Sequence, residues 1–280
     1  MNFITEYKIP LGQWMESGVD WLTMNASGFF DAISFFLETV ILSLVDLFKW
    51  MPPAVPILMT AGLAWYLHRK VSLVVFIVAA FLLILNMGYW QEMLETFVLV
   101  FAATTISVLI GVPLGIMAGH RPWLYTLMRP VLDLMQTVPT FVYLIPTLVL
   151  FGLGIVPGLI STIIFAIAAP IRLTYLGITR VPEDLIEAGR AFGASRRKLL
   201  FKVELPAAMP SIMTGVTQCI MLSLSMVVIS ALVGADGLGK PVVRALNTVN
   251  ISQGFEAGLA IVLVAIILDR LCKTPSQKEM

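Results

Sequence analysis

The sequence predicts an all-α integral membrane protein with about seven transmembrane helices, and three observations predict it. Hydrophobic residues make up 59% of the 280-residue chain and charged residues only 12%, against roughly 45–50% and roughly 25% in a soluble domain. The mean hydropathy is +0.93. The apolar residues also gather into runs approaching the ~20 residues that a helix needs to cross a bilayer. A soluble enzyme or a disordered chain would not carry this composition. The net charge of +1 supplies no field to attract nucleic acid.

The N-terminal residues do not read as a secretory signal, because Glu6, Glu16 and Asp20 interrupt them and no basic start leads into an apolar stretch. Residues 29–50 are apolar but hold Asp31, Glu38 and Asp46, spaced by seven and eight residues and so near one helical face. This pattern predicts an amphipathic helix lying on the membrane; a polar-faced eighth span is the alternative. Seven apolar spans follow, at about 52–67, 71–90, 97–119, 135–154, 157–178, 207–233 and 251–271. Gly111, Gly115 and Gly119 on the third, and Gly254 and Gly258 on the seventh, are spaced to let another helix approach closely. Pro113, Pro139, Pro146 and Pro170 should bend or break their helices. Cys219 and Cys272 read as small apolar packers, and His68 and His120 as interfacial residues beside arginines.

The basic residues set the orientation. With seven spans, fourteen of the 18 Lys and Arg residues fall on one side, including seven from Arg172 to Lys202, and that side should be cytoplasmic. The N-terminus is then periplasmic and the C-terminus cytoplasmic, in a bacterial inner membrane. The organisation expected is an acidic tail with its amphipathic helix over 1–50, two accessory helices over 51–94, one continuous core over 95–272, and a short cytoplasmic tail over 273–280.

The longest polar interruption is the segment 180–210. Pro182, Glu183 and Asp184 suit a helix start, and Gly193 suits a left-handed cap near its end. A second short helix should follow, with span six starting at Leu205-Pro206. Glu187-Ala188-Gly189, three residues, Gly193, nine residues, Val203, Glu204 and Leu205-Pro206 keep the spacing of the cytoplasmic motif of bacterial ABC importer permeases, which the chain therefore resembles. Gly189 stands where that motif has a second Ala, and Val203 where it has Ile. The resemblance implies a bundle like that of type I ABC importer permeases, whose loop docks on a separate ATPase subunit. Glu187, Ala188, Gly189, Gly193, Leu205 and Pro206 would carry that coupling; Glu187 also reads as a plain surface acid.

The run from Gln136 to Pro146, Ser225–Ile229 and Gly234–Gly239 are similar to permeases that import quaternary amines such as glycine betaine and choline. The likeness covers about residues 95–272, with an acidic N-terminal region like that of the choline-type members. It implies a permease without its own ATPase site or bound cofactor. ATP and magnesium would be held by the partner ATPase, a periplasmic binding protein would deliver the solute, and a second permease copy would complete a dimer. A quaternary ammonium is recognised by aromatic faces and acids, so Tyr89, Trp90, Phe141 and Tyr143 are candidates for the pathway. Packing or an interfacial belt is the alternative reading of each. Gly234–Lys240 has the glycine and lysine spacing of a phosphate loop, but Pro241 replaces the magnesium-binding Ser or Thr and no strand precedes it. An ion-coupled carrier would need ionisable residues in mid-membrane, of which the spans beyond the N-terminal segment are nearly free.

Overall fold

The computed structural model describes residues 10–273 of the chain. Eleven helical elements follow one another among them: α1 (Leu11–Trp50), α2 (Ala54–His68), α3 (Val71–Asn86), α4 (Trp90–His120), α5 (Pro122–Thr137), α6 (Thr140–Phe151), α7 (Ile155–Thr179), α8 (Glu183–Ala191), α9 (Arg196–Val233), α10 (Gly239–Asn247) and α11 (Ile251–Cys272). The tail expected over 273–280 lies, apart from Lys273, outside the described residues.

The polar segment between α7 and α9 marks one end of the bundle. His120, at the end of α4, bonds to Glu204 there, and His68, at the end of α2, contacts the carbonyl of Lys273 after α11. Trp90, Phe151 and Ile155 lie at the opposite, far end. From end to end the chain passes through α2, α3, α4, the bent pair α5–α6, α7, α9 and α11. Five helices, α1, α4, α7, α9 and α11, are long and apolar enough to cross a membrane unaided, or six where the bent pair α5–α6 is counted as one span. The expected spans 52–67 and 71–90 are instead helices of 15 and 16 residues. Each is only ~22–24 Å long, short of a ~30 Å hydrocarbon core.

α1 passes the length test for a span, yet its packing lays it crosswise. Phe30 meets Phe151 edge-on at 5.4 Å, and Lys49 bonds Glu95 at 2.6 Å. Both partners are at the far end, so the stretch between residues 30 and 49 runs across that end. Ile41 and Val45 are buried and Leu37, Leu44 and Phe48 half-buried on one face, while Asp31, Glu38 and Asp46 are exposed. The helix expected over 29–50 is therefore only the second half of α1, which continues back to Leu11 through a non-helical residue at Ala26.

Two other expectations change. Span 135–154 is not one helix: α5 and α6 meet at 98°. Val138 is extended at ψ 131°, as steric conflict with the following proline ring requires. The Tyr143 hydroxyl donates to the Leu134 carbonyl across the bend at 3.1 Å. Span 157–178 runs on through Pro170 as a nearly continuous α7.

The three-glycine stripe does what its spacing suggests. A Cβ on Gly115 would lie 2.6 Å from the Thr174 Cβ and 2.7 Å from the Ile171 carbonyl oxygen, and one on Gly119 2.7 Å from Ile178. α4 and α7 thus touch backbone to side chain with no room for a methyl group. On α11 the stripe does not recur. Gly254 faces Ala245 at ordinary contact distance, and nothing stands within 4 Å of where a Gly258 Cβ would be. The glycines after α9 close a packed loop: Gly234 and Gly237 have φ of +93° and +120°, and the Leu238 N–H donates to the buried Thr96 hydroxyl at 2.8 Å.

Candidate functional site

The polar end carries the first candidate site. α8 starts after the extended Pro182, with Glu183 and Asp184 in its first turn, where the positive end of the helix dipole favours acids. It ends in a left-handed turn. Gly193 has φ +73°, its N–H donates to the Arg190 carbonyl at 2.9 Å, and the Ala194 N–H reaches back to the Gly189 carbonyl at 3.0 Å. This double bond pattern satisfies two carbonyls that the helix end would leave open. Ser195 then caps α9 by accepting from the Lys198 N–H.

Gly189 is explained by contact. A Cβ there would sit 2.7 Å from Cδ1 of Leu199, so α8 lies closely on the first turns of α9. Glu187 and Ala188 are exposed. So are Leu185, Phe201 and Phe192, the last at 92% of its surface. An apolar cluster so open on a polar loop marks an interaction surface.

Leu205-Pro206 does not begin a new helix. The four residues Arg196–Leu199 pass through a π turn at Leu200–Glu204 directly into Leu205–Ser230. The physical reason lies in Pro206, which lacks an N–H and whose ring crowds the carbonyl four residues back; a wider π turn relieves that crowding. The second short helix and span six are thus one rod, and α8 rests on its end.

Inside the π turn sits a residue that the motif spacing passes over. Glu204 is buried, at 6% exposure, and Oε2 lies 2.7 Å from Nε2 of His120. Nδ1 of the same ring lies 2.9 Å from the Ile116 carbonyl. That carbonyl only accepts, so Nδ1 donates, and one proton is held between Nε2 and the carboxylate. The pair fastens the end of α4 to the rod. An acid just before span six and a histidine closing another span are visible in sequence, but neither the burial of the acid nor the pairing is.

The far end carries a second candidate, a polar cavity of about 230 Å³ lined by Tyr89, Glu92, Glu95, Asp236, Lys240 and Arg244, among others. Glu95 is paired with Lys49, and Asp236 with Lys240. Glu92 and Arg244 have no ion pair among the described residues. Burial, then the Glu256 and Glu92 carboxylates, push the Tyr89 phenol above its ordinary pKa, so the ring stays neutral.

The four aromatic candidates do not converge. Tyr89 lines the far cavity. Trp90 is in the core, edge-on to Phe81 at 6.0 Å. Tyr143 is half-buried and engaged in closing the α5–α6 bend, and Phe141 is exposed on α6. α5 itself is bound to α7 by an Arg172–Asp133 ion pair at 2.6 Å and by stacked Tyr125 and Tyr175 rings.

Comparison with known proteins agrees with this geometry. The family described as binding-protein-dependent transport system inner membrane component matches residues 111–272. The glycine betaine transport system permease protein OpuAB of Bacillus subtilis is 44% identical, over 97% of this chain and 96% of its own length. ProW of Escherichia coli, a glycine betaine/proline betaine permease, is 43% identical over 94% of this chain and 74% of its own. GbuB of Listeria monocytogenes, a glycine betaine/carnitine permease, is 43% identical over 96% of both. Among solved structures, the MetNI methionine ABC transporter in an inward-facing form superposes with a TM-score of 0.56 at 25% identity, covering 62% of this chain and 88% of that one.

Proposed function

The chain belongs to the family of binding-protein-dependent transport system inner membrane components, multi-pass permeases of ABC importers, and from that premise we propose how it works and what it carries. It admits glycine betaine or a closely related betaine, and converts closure of a separate ATPase subunit into alternating access. The observation that carries this reading is the seating of α8, through Gly189, on a rod that is continuous into the bundle. The ATPase docks on Leu185, Glu187, Ala188 and Phe192, and its movement reaches the transmembrane part through α9 without an intervening joint. ATP and magnesium are held by that subunit, and this chain contributes no catalytic group.

The fourteen basic residues on the loop side make that side cytoplasmic. The N-terminus, α1 and the Tyr89 cavity are then periplasmic, where a binding protein delivers its load. A second copy of the permease completes the pathway. OpuAB, ProW and GbuB are glycine betaine permeases, the last two also for proline betaine or carnitine, which favours betaines over free choline.

The test is uptake of labelled glycine betaine by cells expressing this chain with an ATPase subunit and binding protein encoded beside it. Saturable uptake, competed by unlabelled glycine betaine far better than by choline, supports the reading. Energy-dependent uptake of some other solute, with none of glycine betaine, would remove the substrate and leave the permease role standing.

A further inference from the structure

An apolar cavity elsewhere in the molecule has no part in coupling or in the far-end site. It measures about 530 Å³ and lies between α1, the α2–α3 hairpin and α4. Its walls are apolar: Phe48 stands at the far end, Met59, Leu63 and Tyr66 line α2, and Met93 and Phe97 line α4. Pro56 to Tyr66 is ten residues, so the trough is ~15 Å long. The crosswise α1 roofs it at the far end through Phe48. Its lining runs along α2 as far as Tyr66, two residues before that helix ends at His68.

We propose that this trough holds one acyl chain of an anionic phospholipid, with the headgroup at Arg69 and Lys70. A trough of this length, with apolar walls, matches a fatty acyl chain in chemistry and reach. The charges choose the headgroup. Lys49, at the roofed end, is taken up by Glu95. At the other end Arg69 and Lys70 are exposed, and neither has an ion-pair partner among the described residues. Arg270 is exposed nearby in sequence terms to Lys273, whose carbonyl His68 contacts; Asp269 on that side is occupied by Lys273. The net charge around the hairpin turn is therefore positive.

Two further features fit. The hairpin is shorter than the hydrocarbon core, so its turn sits within reach of the phosphate layer instead of beyond it. Arg69 also occupies a left-handed conformation at φ +50°, which a glycine would adopt at less cost; arginine there places a cation at the mouth of the trough.

Gly62 supplies the test, because it lines the trough and nothing stands within 4 Å of where its Cβ would be. A side chain added there enters the space claimed for the acyl chain without disturbing a neighbour. The purified permease–ATPase complex is equilibrated with vesicles of equal phosphatidylglycerol and phosphatidylcholine, then transferred to mild detergent. Retained lipid is counted by native mass spectrometry. The wild type should keep one phosphatidylglycerol per permease, favoured over phosphatidylcholine by up to roughly thirtyfold for two basic side chains. Gly62→Phe should lose the lipid while the complex still assembles, and Gly62→Leu serves if the larger side chain impairs assembly. Arg69→Gln combined with Lys70→Gln should keep a lipid but lose the preference. Equal retention by the Gly62 variants, or no headgroup preference in the wild type, overturns the proposal. So does a disulfide between two permease copies through Met59→Cys, which would show that protein covers the trough.

Discussion

Replacement of Gly193 separates backbone geometry from every other contribution at the coupling turn. Its φ is +73°, and nothing lies within 4 Å of a Cβ built there, so alanine meets no steric obstacle. What alanine loses is conformational, about 1–2 kcal/mol for an L-residue in the left-handed region. Two backbone hydrogen bonds, Gly193 to Arg190 and Ala194 to Gly189, oppose that loss at about 1 kcal/mol each. The turn therefore survives in Gly193→Ala with reduced population, and Gly193→Asn should be milder, since asparagine tolerates this region better. Proline is different in kind: its ring fixes φ near −65° and it has no N–H, so the turn and one bond vanish together. The assay is the initial rate of labelled glycine betaine uptake, normalised to permease in the membrane by immunoblot. The expected order is wild type, Asn, Ala, Pro, with Ala reduced by at most about thirtyfold and Pro inactive although inserted. A normally abundant Gly193→Pro variant transporting at the wild-type rate would refute the docking geometry.

Three further outcomes are expected. Gly115→Val places a side chain into the Ile171 carbonyl and Thr174, and should destabilise the solubilised protein by about 1–3 kcal/mol or more; Gly258→Ala, with open space, should leave the melting temperature unchanged. His120→Ala and Glu204→Gln should each lower transport per ATP hydrolysed by the complex. Because His120 is half-exposed, their double-mutant coupling should be about 1–2 kcal/mol, and strict additivity would show that the pair does not act as a unit. A tag at residue 1 should react with a membrane-impermeant reagent in intact cells while a tag at residue 280 should not; the reverse pattern would invert the orientation.

The legible parts of this protein are those where one physical constraint acts alone. Hydropathy locates the apolar segments because lipid tolerates no unsatisfied backbone. The Gly193 turn is readable because only the left-handed backbone needs glycine there. Other features depend on two segments at once. Pro139 was visible as a breaker, but a 98° bend rather than a kink follows from what Tyr143, Arg172 and Asp133 find to bind. Leu205-Pro206 reads as a helix start by the ordinary rule, and fails because a π turn makes the proline compatible with continuity. Glu204 and His120 lie 84 positions apart, and no local pattern joins them. Chemistry alone singles out the four aromatics, and their dispersal over core, cavity and bend carries no sequence signal.

The unbroken course of α9 has a mechanical consequence. It is 38 residues long, or ~57 Å; its first turns carry the exposed Arg196, Arg197 and Lys198 while its last ones lie beside the far-end loop. A stiff rod pivoting near its middle converts a small angle into equal and opposite displacements of its tips. A tilt of about 5° moves each tip by ~2.5 Å over that length. This is comparable to the helix shifts of ~1–2 Å that reset subunit interfaces in other proteins. The π turn, as the one place where the rod's hydrogen-bond ladder widens, sets how much of an applied push becomes rotation and how much is lost as bending. In the proposed coupling, stiffness at Leu200–Glu204, rather than affinity at the docking face, decides how faithfully one stroke outside the membrane becomes one opening within it.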